Sequence, residues 1–346
     1  MGAARAMCME TFLPVFTDEF IKWLVILGII VCIGYYLKKR GIGGYITQTP
    51  TLDIYATDLT IAARAGTIDP VIGRSDEIMR AAQILSRRTK NNIILVGQPG
   101  VGKTAVVEGL AQRIARAEVP EILRNKRVLL LQVSELLAGT KYRGEFEQRI
   151  KRIVQEIQRS KRTIILFIDE IHTISQTRGT EGAISLSDIL KPALARGDLQ
   201  LIGATTKAEY ETYIQPDESW DRRFQAVLVD EPTVDESIQI LRGIKGKYED
   251  YHKVKISDEA IVASVRLSQE YIKGRRLPDK AIDIMDEAAA KLNVERGSAH
   301  EHAAALLHGA AKKVYEHRDE ELVTVRVEDV KEIVAEWIGI EHADIH

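Results

Sequence analysis

Between residues 92 and 232, short apolar runs alternate with longer stretches in which apolar residues recur with helical spacing. Four runs predict buried strands: NIILV from Asn92, RVLLLQV at 127–133, IILFIDE at 164–170 and LQLIGATT at 199–206. The two clearest helical stripes consist of Val106, Val107, Leu110, Ala111 and Ile114, and of Phe146, Ile150, Ile153, Val154 and Ile157. This alternation predicts an α/β fold with a parallel, doubly wound sheet that binds its ligand at the carboxyl ends of the strands.

Beyond Glu231 the periodicity becomes helical, in runs such as VDESIQILRGIKGKYEDYHKV and SDEAIVASVRLSQEYIKG. Ser257 and Asp258 have the character of helix N-caps, and Pro278 stands where a third helix would begin. We therefore expect a second, all-helical domain of roughly 110 residues.

The N-terminal region contains a run of fifteen residues without charge, WLVILGIIVCIGYYL at 23–37. Extended back to Phe20, it reaches eighteen residues and would span ~27 Å as a helix, close to a hydrocarbon core of ~30 Å. Basic residues follow at 38–40, which predicts a single membrane-spanning helix with the remainder of the chain in the cytoplasm. A cleavable signal peptide is less favoured, because no basic segment abuts the run and no small-residue cleavage site follows it. A buried core helix is the alternative.

These patterns predict six segments. They are an N-terminal tail (1–19), a transmembrane helix (20–40), a linker (41–54), a large α/β domain (55–232), a helical small domain (233–340) and a C-terminal tail (341–346).

Composition narrows the possible partners. The 346 residues contain 48 Lys and Arg against 50 Asp and Glu, for a net charge of −2, and this balance argues against a nucleic-acid-binding protein. The two cysteines, Cys8 and Cys32, both precede the predicted domains, so neither a disulfide framework nor a cysteine zinc site is expected there.

A glycine-rich loop joins the first predicted strand to a helix. The run GQPGVGKT fits the phosphate-binding pattern GxxxxGK(S/T), in which backbone N–H groups surround phosphate oxygens and the lysine reaches the outer phosphates. It predicts a site for ATP with Mg²⁺, in which Lys103 contacts phosphate and Thr104 offers its hydroxyl to the metal ion. The loop residues predicted to bind nucleotide are Gly97, Gln98, Pro99, Gly100, Val101, Gly102, Lys103, Thr104 and Ala105.

Two acids, Asp169 and Glu170, lie at the end of the third predicted strand. A phosphate-binding loop needs such carboxylates to complete the Mg²⁺ site and to activate water. Asp169 would complete the Mg²⁺ shell, and Glu170 would polarise the attacking water. A surface corner is the alternative interpretation of these acids. Paired threonines end the strand at 199–206, which suits a polar sensor beside the γ-phosphate, although this signal is weak alone.

Arg222 and Arg223 lie between a short polar helix and an apolar run, in DRRFQAVLVDEP. They are either surface arginines in salt bridges or arginine fingers that meet the transferring phosphoryl group. The second interpretation requires reach into a neighbouring subunit and therefore a ring.

The chain from about Tyr55 to Ile340 resembles the first ATPase module of the Clp-type AAA+ unfoldases and disaggregases. The motifs that support the resemblance occur in order, among them DLTIAARAGTIDPVIGR, GQPGVGKTAVVEGLAQRI, KYRGEFEQRI, ILFIDEIHT, LIGATT, DRRFQAVLVDEP and LPDKAIDIMDEAAA.

The resemblance implies a homo-hexameric ring that threads polypeptide substrates through its centre. It implies that Lys141, Tyr142, Arg143 and Gly144 form a loop lining the pore, where an exposed aromatic would grip substrates of varied sequence. It also implies further roles at the nucleotide: Val71 and Ile72 would flank adenine, Thr206 would be the sensor, Arg222 and Arg223 would be the finger pair, and Asp279 and Lys280 would lie where the helical domain closes on ATP.

The sequence departs from the family in several places. A hydrophobic segment stands where a substrate-receptor domain is usual. The coiled-coil insertion of the disaggregases is absent. A second ATPase module or an adaptor would have to come from outside this chain. A histidine-rich stretch at 300–317 fits no metal-binding spacing and is interpreted as a solvated helix.

The sequence therefore predicts a membrane-anchored AAA+ ATPase of Clp type that remodels proteins. One alternative is a nucleotide-switched ring that organises a membrane complex without translocation. A nucleic-acid remodeller is the other, and the charge balance disfavours it.

Overall fold

The computed structural model describes residues 22–23, 28, 49–137, 143–176, 186–306, 322–340 and 345. The chain divides into two compact units, residues 1–50 and residues 51–346. All elements given below belong to the second unit, which includes both the predicted α/β domain and the predicted helical domain.

A six-stranded sheet is the centre of this unit. Its strands are β1 (Ala56–Asp58), β2 (Asn92–Val96), β3 (Arg127–Leu131), β4 (Ile164–Ile168), β5 (Gln200–Thr205) and β6 (Phe224–Leu228), in the order β1-β3-β4-β5-β2-β6. All four predicted strands are present: β2 ends where its apolar run ends, and β3, β4 and β5 each end one or two residues before theirs.

The sheet is mixed, so the prediction of a purely parallel sheet needs correction. All neighbouring strands are parallel except β1, which runs antiparallel to β3 with Thr57 opposite Leu130. Arg127 holds this edge through Asp58 at 2.6 Å and Asp53 at 2.9 Å. The three residues of β1 contain no apolar run, so the sequence pattern did not predict this strand. Its pairing with β3 is stabilised by the ion pairs of Arg127 rather than by burial.

The inner strands are buried on both faces, which explains why they are apolar at nearly every position. Every residue of β2, β4 and β5 is buried. Alternate residues enter different cores: Ile94 and Val96 pack into the core on one face of the sheet, and Ile93 and Leu95 into the core on the other.

Helices cover both faces of the sheet and connect its strands. They are α1 (Leu52–Tyr55), α2 (Leu59–Ala65), α3 (Ser75–Leu85), α4 (Lys103–Ala115), α5 (Val133–Leu137), α6 (Arg143–Arg159), α7 (His172–Gln176), α8 (Leu186–Arg196), α9 (Lys207–Glu209) and α10 (Glu218–Asp221), with a 3₁₀ turn at Glu121–Leu123 and a π turn at Tyr210–Ile214. The two predicted apolar stripes, on α4 and α6, are buried throughout.

The helical part has its own apolar core. The helical domain consists of α11 (Val234–His252), α12 (Asp258–Tyr271), α13 (Asp279–Leu306) and α14 (Val327–Ile338), with a small parallel pair of strands, β7 (Lys255–Ile256) and β8 (Thr324–Val325). Ser257 caps α12 by accepting a hydrogen bond from the Ala260 N–H, as predicted, whereas Asp258 is the first residue of that helix.

The predicted membrane helix at 20–40 lies outside the described residues except for Lys22, Trp23 and Gly28. Across the ranges that the structure does describe, no helix has both the length and the apolar character needed to cross a bilayer. The predicted single-pass membrane localisation is corrected on this finding. The charge-free run itself has fifteen residues, a helical rise of ~22 Å, which is short of a ~30 Å hydrocarbon core.

The start of α11 provides a test of how the helical domain is stabilised. The Thr233 hydroxyl accepts a hydrogen bond from the Glu236 N–H, and the Glu236 carboxylate accepts one from the Thr233 N–H, so the two residues form a capping box. We expect Thr233→Ala to lower the free energy of unfolding by about 1 kcal/mol in urea titrations. Thr233→Ser is the matched control, because it keeps the capping oxygen; an equal loss in both variants would contradict this role of the cap.

Candidate active site

A cavity of about 540 Å³ opens where β2, β4 and β5 end, between the sheet and the helical domain. Its walls come from the glycine-rich loop, the ends of β4 and β5, the segment 69–74 and the facing helices α11 and α13. Parallel α/β sheets bind ligands at this edge, so the topology and the cavity agree on the location of the site.

The glycine-rich loop is packed too tightly for larger residues at two positions. A Cβ on Gly97 would lie 2.3 Å from the Val229 carbonyl oxygen. Gly100 has φ +78°, and a Cβ there would lie 2.8 Å from the Cβ of Asp279. The loop therefore contacts the sheet on one side and the first residue of α13 on the other.

Lys103 begins α4 and turns back over the loop. Its Nζ donates hydrogen bonds to the carbonyl oxygens of Gly97, at 3.0 Å, and Gln98, at 2.9 Å. Burial lowers the pKa of Lys103, and the carboxylates of Asp169, Glu209 and Glu170 oppose that shift. A partly buried ammonium bonded to neutral oxygens is suited to meet the negative charge of a phosphate group.

Thr104 and Asp169 form an oxygen pair of the kind that Mg²⁺ binds. The Thr104 hydroxyl donates to Asp169 Oδ2 at 3.2 Å. Among the residues that the structure describes, no group of three or more His, Cys, Asp and Glu side chains is arranged to hold a metal ion. One carboxylate with one hydroxyl fits Mg²⁺ that takes its other ligands from nucleotide phosphates and water.

Glu170 turns the chain away from β4. It has a left-handed backbone, with φ +48°, and its N–H donates to Asp169 Oδ1 at 2.9 Å. This conformation is uncommon for a residue with a Cβ and costs on the order of 1–3 kcal/mol. The two adjacent acids both line the cavity and both are exposed.

Thr206 lines the cavity at the end of β5 and caps the following turn. Its hydroxyl accepts a hydrogen bond from the Glu209 N–H, while Glu209 Oε2 accepts hydrogen bonds from the Thr206 N–H and the Thr205 hydroxyl, each at 3.0 Å. Burial alone would raise the pKa of Glu209, but these hydrogen bonds outweigh it and lower the pKa. His172 Nδ1 lies 3.2 Å from the same carboxylate.

Glu209 was not predicted as a site residue, although the sequence contains a pattern that places its carboxylate near Thr206. Threonine followed three residues later by glutamate, as in TKAE at 206–209, is the pattern of a capping box. The carboxylate that this pattern places over the end of β5 acts on both threonines and contributes to the field at Lys103.

The segment before α3 connects the loop to the helical domain. Val71 and Ile72 both line the cavity, and Ile72 fills the space beside α11 where a Cβ on Gly243 would lie 2.5 Å from its Cγ1. Arg74, which the sequence analysis did not single out, donates from Nη2 to the carbonyl oxygens of Val101, at 2.6 Å, and Asp230, at 2.9 Å. One guanidinium thus joins the glycine-rich loop to the chain that follows β6.

Asp279 and Lys280 were both predicted to lie where the helical domain closes on the nucleotide, but only Asp279 lies at the cavity. Asp279 lines the cavity and contacts the glycine-rich loop. Lys280 does not line it: the side chain is 3% exposed, and Nζ donates to the Ile272 carbonyl oxygen at 3.1 Å inside the helical domain.

Arg222 and Arg223 also lie away from the cavity of their own chain. Arg222 is exposed and pairs with Glu218 at 2.8 Å, and Arg223 donates to the Ala195 carbonyl oxygen at 3.2 Å. Both precede β6, which is an edge strand of the sheet.

Most of the predicted pore loop lies outside the described residues. Lys141 and Tyr142 lie outside the described residues, as does the side chain of Arg143. Gly144 is exposed and lies in the first turn of α6.

Comparisons with known proteins agree with this geometry. Residues 93–229 match the family described as "ATPase family associated with various cellular activities (AAA)", and residues 233–334 match the AAA lid domain. The chain is 60% identical over 247 residues to the chaperone protein ClpB of Oceanobacillus iheyensis and 59% identical over 247 residues to the negative regulator of genetic competence ClpC/MecB of Bacillus subtilis. Each alignment covers 71% of this chain, and the chain spans only 30% of the length of either relative.

Solved structures of Hsp104 share the fold. The closed state of Hsp104 with ATPγS and FITC casein has a TM-score of 0.72 and 40% identity, covering 86% of this chain and 47% of that one. The S. cerevisiae Hsp104–ADP complex has a TM-score of 0.71 and 41% identity, covering 84% and 45%.

The predictions of ATP hydrolysis, with ATP and Mg²⁺ as cofactors, are confirmed by these matches. The earlier membrane localisation finds no support among the same relatives. Residues 93–334 belong to the AAA ATPases, as an AAA domain and its lid of the type found in ClpB, ClpC and Hsp104.

Proposed function

We propose that this chain forms a homo-hexameric ring that uses ATP hydrolysis to unfold or remodel polypeptides drawn through its central pore. The observation that carries the proposal is the convergence of Lys103, the Thr104–Asp169 pair and Glu170 at one end of the sheet, beneath the lid domain. This arrangement contains the groups that hydrolysis of a nucleoside triphosphate requires: a phosphate-binding cation, a Mg²⁺-binding oxygen pair and a free carboxylate.

In the proposed reaction, water attacks the γ-phosphorus and the bond from that phosphorus to the bridging oxygen of ADP breaks. Glu170 orients the water and accepts its proton, Lys103 neutralises phosphate charge, and Thr206 hydrogen-bonds the water or the γ-phosphate. Mg²⁺ held by Thr104 and Asp169 would supply further charge neutralisation. Val71 and Ile72 form the apolar side of the adenine site.

Arg222 and Arg223 act on the ATP of a neighbouring subunit in this proposal. Their distance from the cavity of their own chain argues against a role there. Their place beside the edge strand β6 and the exposure of Arg222 suit contact with another copy, and an arginine that completes a neighbour's site makes hydrolysis dependent on assembly.

The polypeptide substrate is inferred from two kinds of support. The KYRG motif resembles the substrate-gripping loop of Clp-type proteins, with Lys141, Tyr142, Arg143 and Gly144 as its residues. In addition, the structurally similar closed state of Hsp104 contains casein. Lid contacts at Asp279 and Ile72 would transmit nucleotide state to the ring.

Glu170→Gln tests the assignment of the catalytic base. The amide keeps the size of the side chain but accepts a proton poorly, so we expect ATP binding close to that of the unmodified protein and steady-state hydrolysis slower by about a hundredfold or more. Nucleotide binding and phosphate release are the two measurements. Normal turnover in this variant would exclude Glu170 as the base.

Replacement of Arg222 and Arg223 by alanine tests action between subunits. We expect hydrolysis to fall by about a thousandfold, because the transition state loses its arginine. Activity should return when this variant is mixed with a Lys103→Ala variant, which cannot hydrolyse ATP but has intact arginines. Failure of every mixing ratio to restore activity would contradict arginine action in trans.

Tyr142→Ala separates ATP hydrolysis from work on a substrate. We expect ATPase activity to remain and unfolding of a fluorescent protein substrate to be lost, since the aromatic ring provides the grip. Tyr142→Phe is the matched control and should retain unfolding. A scaffold that does not translocate would show no substrate-stimulated ATPase in any of these proteins.

A further inference from the structure

A second cavity, of about 290 Å³, lies at the opposite end of the sheet from the ATP site. Residues at the starts of four neighbouring strands contribute to it: Asn91 precedes β2, Lys126 precedes β3, Thr163 precedes β4 and Gln200 begins β5. No residue that lines the ATP cavity lines this one.

Lys126 is a buried cation at the floor of this cavity. The residue is 7% exposed, and its Nζ donates to the Arg162 carbonyl oxygen and to Gln200 Oε1. Gln200 is fixed in turn, because its amide nitrogen donates to the Leu85 carbonyl oxygen at 2.9 Å. An ammonium group has three N–H donors, and among the described residues the third has no acceptor.

The charge of Lys126 is not compensated by a neighbouring acid. Burial lowers its pKa, and the nearby guanidinium of Arg162 lowers it further. No carboxylate raises the pKa of Lys126 again, whereas three carboxylates do so for Lys103. A buried ammonium of this kind is costly unless an anion joins it.

Three more cationic residues, Arg87, Lys161 and Arg162, line the cavity, against a single acid, Glu121. All four of these residues are exposed. Within the described part of the chain, none of the three cations makes an ion pair. The amides of Asn91 and Asn125 line the same cavity and provide neutral donors.

We infer that this cavity binds a phosphate-class oxyanion, held by the spare donor of Lys126 and the three exposed cations. The volume lies at the small end of the range for ligand cavities, which suits a tetrahedral oxyanion with some water better than a nucleotide. Lys103 offers a parallel within the same chain, since that phosphate-binding lysine also donates to two neutral oxygens at a strand end.

The site can be tested with inorganic phosphate as the probe. The full chain is saturated with a slowly hydrolysed ATP analogue and Mg²⁺, which fills the phosphate positions at Lys103, and phosphate is titrated by calorimetry at constant ionic strength. We expect binding at one site per chain and competition by sulfate. Lys126→Met and the double variant Arg87→Gln/Lys161→Gln should each weaken binding about tenfold, the effect of losing a charge-assisted contact.

Arg266→Gln is the matched control, because it removes an exposed cation of the lid that does not line this cavity and should leave phosphate binding unchanged. If Lys126→Met does not fold, the double variant decides alone, since both of its changes are on exposed side chains. Absence of phosphate binding in the analogue-saturated protein, or equal binding in the double variant and the parent, would overturn the inference. ATP hydrolysis is measured separately, so failure here is distinguishable from failure of the proposed function.

Discussion

The parallel pairing of β4, β5 and β2 is the constraint on which the site depends. Because these strands are neighbours and point the same way, their carboxyl ends bring the acids, the threonines and the glycine-rich loop to one edge. Backbone hydrogen bonds extend the sheet into the loops: the Gly97 N–H donates to Thr205 and the Ile171 N–H donates to Ala204. A shift of register in any of these strands would separate Lys103 from Asp169.

The lid completes the site through a small number of specific contacts. Ile72 packs beside α11, Asp279 touches the glycine-rich loop, and Lys247 of α11 pairs with Asp69 at 2.7 Å. Glu231 joins the end of the sheet to the start of α13 by accepting hydrogen bonds from Arg276 and from the Leu277 N–H. Most of these contacts are polar and near the surface, where an ion pair contributes little, so they hold the lid less firmly than apolar packing holds the three cores.

Sequence patterns predicted the parts of this structure that depend on local chemistry or on burial. The four inner strands, the stripes of α4 and α6 and the glycine-rich loop each have a pattern that only one structure satisfies well. The edge strand β1, the bridging role of Arg74 and the position of Lys280 depend on contacts with residues distant in sequence, for which local patterns give no signal. The membrane prediction depended on local hydropathy and charge alone, and no helix among the described residues is long and apolar enough to cross a bilayer.

Lys103 and Lys126 show how the two ends of one sheet differ electrostatically. Both ammonium groups are partly or fully buried, both donate to two neutral oxygens, and burial lowers the pKa of both. At the carboxyl end of the sheet, three carboxylates offset the charge of Lys103, and two of them, Asp169 and Glu170, are the acids proposed for Mg²⁺ binding and for hydrolysis. At the amino end, the charged group that acts on Lys126 is the guanidinium of Arg162 and no carboxylate offsets it, so an anion from solvent would stabilise the charged ammonium. The same backbone arrangement therefore supports a hydrolytic site at one end and an anion-binding site without hydrolytic groups at the other.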